Sequence, residues 1–177
     1  MRRMAIAALA VGVFASGVWA QMPKTKPGDE QKRIGFFEGK WKFEGEAKPS
    51  PMGPGGKFMA TETCKWFAGG FHLVCQSEGT GPMGAMKAQS VMGYDPTEKT
   101  YTYYEISSGG EGFFVRGNTD TGKVWTWNNE TTVNGKSMKV RVTVTEESPT
   151  SYGFKMEASF DGGDWAVVEE GKATKAS

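Results

Sequence analysis

From Gly39 onward, the sequence alternates between apolar and polar residues in short segments that are separated by turn signals. A period of two is typical of β-strands with one buried face, because successive side chains point to opposite sides of a strand. In the first segment, Trp41, Phe43 and Gly45 alternate with lysines and glutamates. The pattern therefore predicts an all-β domain of about ten strands.

The connections between these segments are short and rich in Gly, Asn, Asp and Pro, which favour tight turns. A parallel crossover needs a dozen residues or more, so such connections join antiparallel neighbours. We therefore predict an antiparallel meander. After the first strand, the predicted strands cover residues 57–67, 71–79, 86–94, 100–107, 112–119, 123–133, 136–147, 151–160 and 164–174.

Three predicted hairpins, with turns at 69–70, 134–135 and 162–163, can be folded to find which residues face each other. Each one places apolar residues opposite apolar residues, as a sheet with one buried face requires. The predicted pairs are Cys64 with Cys75, Trp66 with Leu73, Trp125 with Val144, Trp127 with Val142, Phe160 with Trp165, and Ala158 with Val167.

A long meander can stay open, split into a sandwich, or close on itself. Closure removes the exposed strand edges, and a barrel of this size can enclose one small ligand. We therefore favour a single closed up-and-down antiparallel β-barrel. Acidic residues at the start of the segment from Asp29 to Phe37 favour a short helix there, ahead of the barrel.

Residues 1–20 have the pattern of a cleaved signal peptide: two arginines, an apolar stretch too short to span a bilayer, and small residues ending at Ala20. Residues 21–28 resemble a linker rich in Pro and Lys, and residues 29–177 form the predicted barrel domain. We expect a periplasmic or secreted protein whose mature chain does not insert into a membrane.

The two cysteines, Cys64 and Cys75, face each other in the predicted register, and export would carry them to a compartment where disulfides persist. We therefore predict that they are bonded. In a strict two-residue hairpin, this pair occupies a hydrogen-bonded position, where Cα atoms are about 5.5 Å apart.

Charge and motifs exclude several classes of function. The 21 Lys and Arg residues nearly balance the 20 Asp and Glu residues, and the sequence contains no run of basic residues. Both observations argue against binding to nucleic acid or to an anionic membrane surface. The G-x-G-x-x-G sequence at 79–84 leads into a strand, whereas a dinucleotide site needs a helix there. His72 is the single histidine and is predicted to point outward. It therefore cannot ligate a haem inside the barrel, and one histidine does not make a zinc site. We predict no cofactor and no metal.

The two longest predicted loops, residues 48–56 and 80–86, fall at the same end of the meander. Long loops at one rim indicate a mouth through which a ligand enters a barrel. Methionines in these loops would form a flexible, polarizable rim, and aromatic residues would line the interior. The candidate ligand-binding residues are Phe43, Trp66, Met83, Met86 and Trp125.

Gly39-Lys40-Trp41, which follows the predicted helix and opens the first strand, resembles the G-x-W signature of lipocalins and related calycins. In that superfamily, the Trp closes the base of the barrel, so the resemblance implies structural roles for Gly39 and Trp41. More closely, the chain resembles the secreted bacterial domain of unknown function 1579 family. This resemblance implies a calycin-like barrel and no particular catalytic or binding residue. It is carried by residues 37–41, 64–75, 81–84, 92–95 and 100–101.

Three hypotheses for the function follow. The barrel binds a small hydrophobic ligand in its lumen, or it is an isomerase- or lyase-type enzyme with interior polar residues such as Glu169, Tyr101 or Tyr103. In the third, aromatic side chains fill the lumen and the barrel acts through its surface as an envelope interaction module. The accessibility of the interior distinguishes the first two hypotheses from the third.

Overall fold

The computed structural model describes residues 26–120, 122–133 and 135–176. Its sheet is a closed barrel of antiparallel strands, because the first strand pairs with both the second and the last. This confirms the predicted up-and-down barrel. The elements are α1 (Asp29–Arg33), a 3₁₀ turn (Ile34–Phe37), β1 (Gly39–Ala47), β2 (Gly56–Trp66), β3 (Leu73–Gly81), β4 (Gly84–Asp95), β5 (Thr100–Ser107), β6 (Gly112–Asp120), β7 (Val124–Val133), β8 (Lys136–Ser148), β9 (Ser151–Phe160) and β10 (Ala166–Lys175).

The predicted signal peptide, residues 1–20, lies outside the described residues, as does the predicted linker up to residue 25. In the part of the chain that the structure covers, no helix combines the length and the apolar character needed to cross a membrane.

The helical segment closes one end of the barrel, which we call the base. Trp41 is fully buried there, and its Nε1 donates a hydrogen bond to the carbonyl of Phe37 over 2.9 Å. The rings of Phe36 and Tyr152 lie against Trp41, with centroid distances of 5.7 and 4.9 Å. Apolar burial and ring contacts therefore hold the short helix on the barrel, since five residues alone are too few for a stable helix.

Polar contacts secure the same end. The Arg33 guanidinium pairs with Glu146 and lies over the Trp125 ring, and Trp125 Nε1 donates to the same Glu146 carboxylate over 2.8 Å. The hydroxyl of Tyr101 donates to Glu30 of α1. These contacts give the polar atoms of the base the partners that burial demands.

The cysteine hairpin contains the predicted disulfide, Cys64–Cys75. The register is as predicted, but the turn is longer than two residues, because the strands end at Trp66 and Leu73. The hydrogen bond nearest the turn is donated by the Phe67 amide to the His72 carbonyl. This longer turn reverses the hydrogen-bonding parity, so the cysteines occupy a non-hydrogen-bonded pair. Their Cα atoms are 4.0 Å apart, which agrees with the closer spacing of such pairs.

The register predicted for the β9–β10 hairpin is wrong near its turn. Ala158 pairs with Ala166 instead of Val167, and Trp165 lies outside the strand and is 44 % exposed. A β-bulge between Val167 and Glu169 adds one residue to β10 and restores the predicted register beyond it.

The prediction of a long loop at 80–86 is also wrong. β3 and β4 continue to a tight turn that contains only Pro82 and Met83. The β1–β2 loop is long, as predicted, and it folds across the open end of the barrel. Its Met52 packs on a small apolar cluster of β8–β10 that includes Met138 and Val168. This loop therefore covers the β8–β10 side of the mouth.

Candidate functional site: a polar cluster in the lumen

Two carboxylates point into the barrel above the base. Glu62 of β2 pairs with the inward-facing Trp41, and Glu105 of β5 lies opposite the buried Ser90 of β4. Tyr103 lies two residues before Glu105 on the same face of β5, and its hydroxyl donates a hydrogen bond to the Glu105 carboxylate. The alternation of the strands thus brings acidic and phenolic groups from different strands into one interior cluster, which we call the lumen cluster.

Burial dominates the electrostatics of the lumen cluster. Desolvation raises the pKa of Glu62 to about 7, and the nearby charge of Glu105 adds to this effect. Desolvation also raises the pKa of Glu105, although the hydrogen bond from Tyr103 partly opposes it. The pKa values of the Tyr103 and Tyr152 phenols lie well above their usual range, mainly because both are buried. The cluster therefore holds at least one carboxyl group that titrates near neutral pH.

Ser90 contributes an unsatisfied polar atom. Its side chain is 2 % exposed, and its Oγ has no hydrogen-bond partner among the described residues, although the Tyr103 phenol is close by. A buried hydroxyl without a partner costs free energy, so such atoms in folded proteins mark positions where water or a ligand completes the bonding.

Aromatic rings form the lumen wall between the cluster and the mouth. Phe43 lies between Tyr152 and Phe154 at centroid distances of 6.0 and 5.9 Å, and Phe58 continues the series at 6.1 Å from Phe154. Phe58 can lie flat on the wall because Gly45 has no side chain: a Cβ there would lie 2.5 Å from the ring.

The interior above the base is less tightly sealed than the base itself. Several inward-facing residues are only partly buried, unlike the sealed residues of the base. They are Phe43, Phe58, Glu62, Tyr103 and Glu105. These inward-facing residues are therefore not completely sealed from solvent.

The remaining opening lies on the side away from the β1–β2 loop. Met86 of β4 and Phe113 of β6 occupy inward-facing positions near the rim but are 50 % and 40 % exposed. Inward-facing apolar residues that meet solvent are typical of a mouth.

The structure separates the residues that the sequence predicted as a ligand site. Phe43 lies on the lumen wall and Met86 at the rim, while Met83 is 76 % exposed at the tip of a turn. Trp66 and Trp125 lie at the base, where Trp66 Nε1 donates to Glu38 over 3.2 Å and Trp125 is almost fully buried.

Among the interior polar residues named for an enzyme, Tyr103 belongs to the lumen cluster. Tyr101 is bound to the helix at the base. Glu169 lies on β10 opposite Ala47, at the far end of β1 from the base, and burial raises its pKa.

Glu62, Ser90 and Glu105 were not among the site residues predicted from the sequence. A signal for Glu62 was present, because it lies two residues before Cys64 and therefore on the same face of the strand. A charged residue on a predicted inward face is the kind of exception that indicates a site.

The carboxylate of Glu62 and the sulfurs of Cys64 and Cys75 lie within 4.8 Å of one another. The sulfurs are bonded to each other, so neither is a thiolate that could bind a metal. In the oxidised protein, this group therefore offers one carboxylate and does not fit a metal site.

A depression of about 660 Å³ lies on the outer face of β1–β4. It is lined by the cross-strand row Phe43, Ala60, Gly79 and Met86 and by the outward-facing residues of the two neighbouring rows. It is separate from the lumen.

The likeness to one solved structure, Rv2717c, supports the fold. The crystal structure of Rv2717c from M. tuberculosis matches 85 % of this chain and 99 % of its own, with a TM-score of 0.63 and 9 % identity. A de novo designed fluorescence-activating β-barrel matches 81 % of this chain and 96 % of its own, with a TM-score of 0.44 and 14 % identity.

No curated protein matches the sequence significantly. A family model described as "Protein of unknown function (DUF1579)" matches residues 26–175, which is most of the sequence. The chain therefore belongs to the DUF1579 family.

Proposed function

We propose that this protein binds a small, largely apolar molecule in the barrel lumen. The observation that carries the proposal is the accessible surface kept by inward-facing residues between a closed base and an open rim. The ligand would enter past Met86 and Phe113, lie along the aromatic wall, and place a polar end at the lumen cluster. Pockets that combine apolar walls with a few convergent polar groups are typical of ligand sites.

We propose further that the protein is exported and binds its ligand outside the cytoplasm. The predicted signal peptide and the disulfide between Cys64 and Cys75 support this location.

An isomerase- or lyase-type activity on the same ligand is the second candidate. The observation in its favour is Glu62, whose pKa of about 7 suits a general base or acid at neutral pH. The Tyr103–Glu105 hydrogen bond would then supply a second proton-transfer group across the lumen. Conversion of a bound ligand would distinguish this candidate from simple binding.

Filling the lumen should abolish binding. Ala88 points inward on β4 between Ser77 and Ser107, in the same cross-strand row as Glu62. We expect Ala88→Phe to weaken binding of the neutral naphthalene dye prodan at least tenfold, because the new ring occupies ligand space. Titration of prodan, followed by its fluorescence, measures the affinity.

Gln89→Phe is the matched control, because the next residue points outward and is exposed. It should leave the prodan affinity unchanged, and circular dichroism should show that both variants fold. Equal weakening by the two substitutions, or no saturable binding of any neutral or cationic aromatic probe to the wild-type protein, would refute the lumen as the binding site.

A further inference from the structure

We propose that the ligand carries a positively charged nitrogen, and that Glu62, Glu105 and Ser90 form the subsite for this head group. The inference rests on the proposed function and specifies the chemical class of its ligand: an amine with an apolar, preferably aromatic, body.

The lumen cluster has more hydrogen-bond acceptors than donors. Glu62 makes no hydrogen bond and no ion pair with any described residue, and Glu105 receives one hydrogen bond, from Tyr103. The buried Ser90 Oγ is likewise free to accept or donate. A primary ammonium group brings three N–H donors and no acceptor, so it complements this set of groups.

The described residues supply no cation for these carboxylates. Arg33 is paired with Glu146 at the base. Lys175 of β10 is in register with Trp41 of β1. Its Nζ lies 5.1 Å from the Trp41 ring centre and forms no ion pair with any residue that the structure describes. Two carboxylates that share a desolvated site repel each other when both are ionised. A cationic ligand would relieve this repulsion, whereas a neutral ligand would leave it in place.

The aromatic wall favours the same class of ligand. The face of an aromatic ring attracts a cation, and the attraction increases when water is excluded. Tyr103 belongs to the cluster and stacks on Phe113 of the rim with ring centres 6.0 Å apart, so aromatic surface extends from the mouth to the carboxylates. An aromatic body can therefore pass from the mouth along this surface and lie on the wall formed by Phe43 and Phe154, with its charged end at Glu62.

Anionic ligands such as fatty acids do not fit this lumen. Glu62, Glu105 and Glu169 all point inward, and none of them forms an ion pair within the described part of the chain. A ligand carboxylate would add a further negative charge to a desolvated acidic site.

A series of naphthalene derivatives that differ only in the head group tests the inference. We expect isothermal titration at pH 8 to show that 1-naphthylmethylammonium binds at least tenfold more tightly than the neutral 1-naphthylmethanol, and that 1-naphthoate gives no measurable binding. In Glu62→Gln, the preference for the ammonium over the alcohol should fall to threefold or less, while the alcohol keeps its affinity.

Glu44→Gln is the control, because Glu44 lies on the outer face of β1 and is exposed. It removes the same charge and should keep the full ammonium preference. Equal or tighter binding of the alcohol by the wild-type protein would overturn the amine assignment and leave lumen binding intact. An equal loss of preference in Glu44→Gln and Glu62→Gln would overturn the assigned subsite. Absence of binding by all three compounds would overturn the amine assignment, and absence of prodan binding as well would overturn both proposals.

Discussion

Replacing Trp41 with alanine is expected to lower the free energy of unfolding by about 3–5 kcal/mol, because a fully buried aromatic ring would leave a cavity. The substitution also removes the ring contacts to Phe36 and Tyr152 and leaves the Phe37 carbonyl without its indole donor. Urea denaturation followed by far-ultraviolet circular dichroism measures the change.

Trp165→Ala is the control, because Trp165 lies outside the strands and is half exposed, with Arg141 over its ring. It should cost less than about 1 kcal/mol. If Trp41→Ala left the denaturation midpoint unchanged, Trp41 would not hold the base closed and the G-x-W resemblance would carry no structural meaning.

Replacing Glu62 with glutamine is expected to stabilise the protein by about 3 kcal/mol at pH 8 and to leave its stability unchanged at pH 4. The pKa of the Glu62 carboxyl is about 7 in the folded protein and near its ordinary value of 4.5 when unfolded. The folded state therefore holds the proton more tightly, and stability falls as the pH rises from about 4.5 to 7. Glutamine does not ionise and avoids this loss.

The groups whose charges act on Glu62 or respond to it are Glu105, Tyr103 and Tyr152, and all three remain in the variant. Urea denaturation of both proteins at the two pH values measures the difference. The exposed Glu44→Gln should change stability at neither pH. An equal effect of Glu62→Gln at pH 4 and pH 8 would show that packing, and not ionisation, is responsible.

Period-two alternation and turn chemistry predicted the closed barrel and most of its pairing. The register around the 69–70 and 134–135 turns was predictable because a single buried face forces apolar residues to oppose each other. Glycines with positive φ, such as Gly69 and Gly135, mark these turns in the sequence and in the structure.

The errors have local causes. At the β9–β10 turn, Val167 and Val168 are both apolar, so the alternation does not reveal that β10 contains an extra residue. At 80–86, Gly81, Pro82 and Gly84 are residues typical of a loop. In the structure, Pro82 and Met83 alone form the turn, and the two glycines pair as the last residue of β3 and the first residue of β4.

The candidate site was harder to predict than the fold. Trp66 and Trp125 were predicted to line the ligand site as interior aromatic residues. Both belong to the base, because height within a barrel depends on strand stagger and on the packing of the helix. Alternation fixes only whether a side chain points inward. The inward position of Glu62 was therefore predictable, but its approach to Glu105 was not, since it depends on closure of the barrel.

A crystal structure of the wild-type protein with 1-naphthylmethylammonium tests the central claim most directly. We predict that the ring lies along Phe43 and Phe154 inside the barrel, with the nitrogen within hydrogen-bonding distance of the Glu62 carboxylate. A ligand bound only in the outer depression of β1–β4, with the lumen free of it, would contradict the claim that this barrel binds its ligand inside.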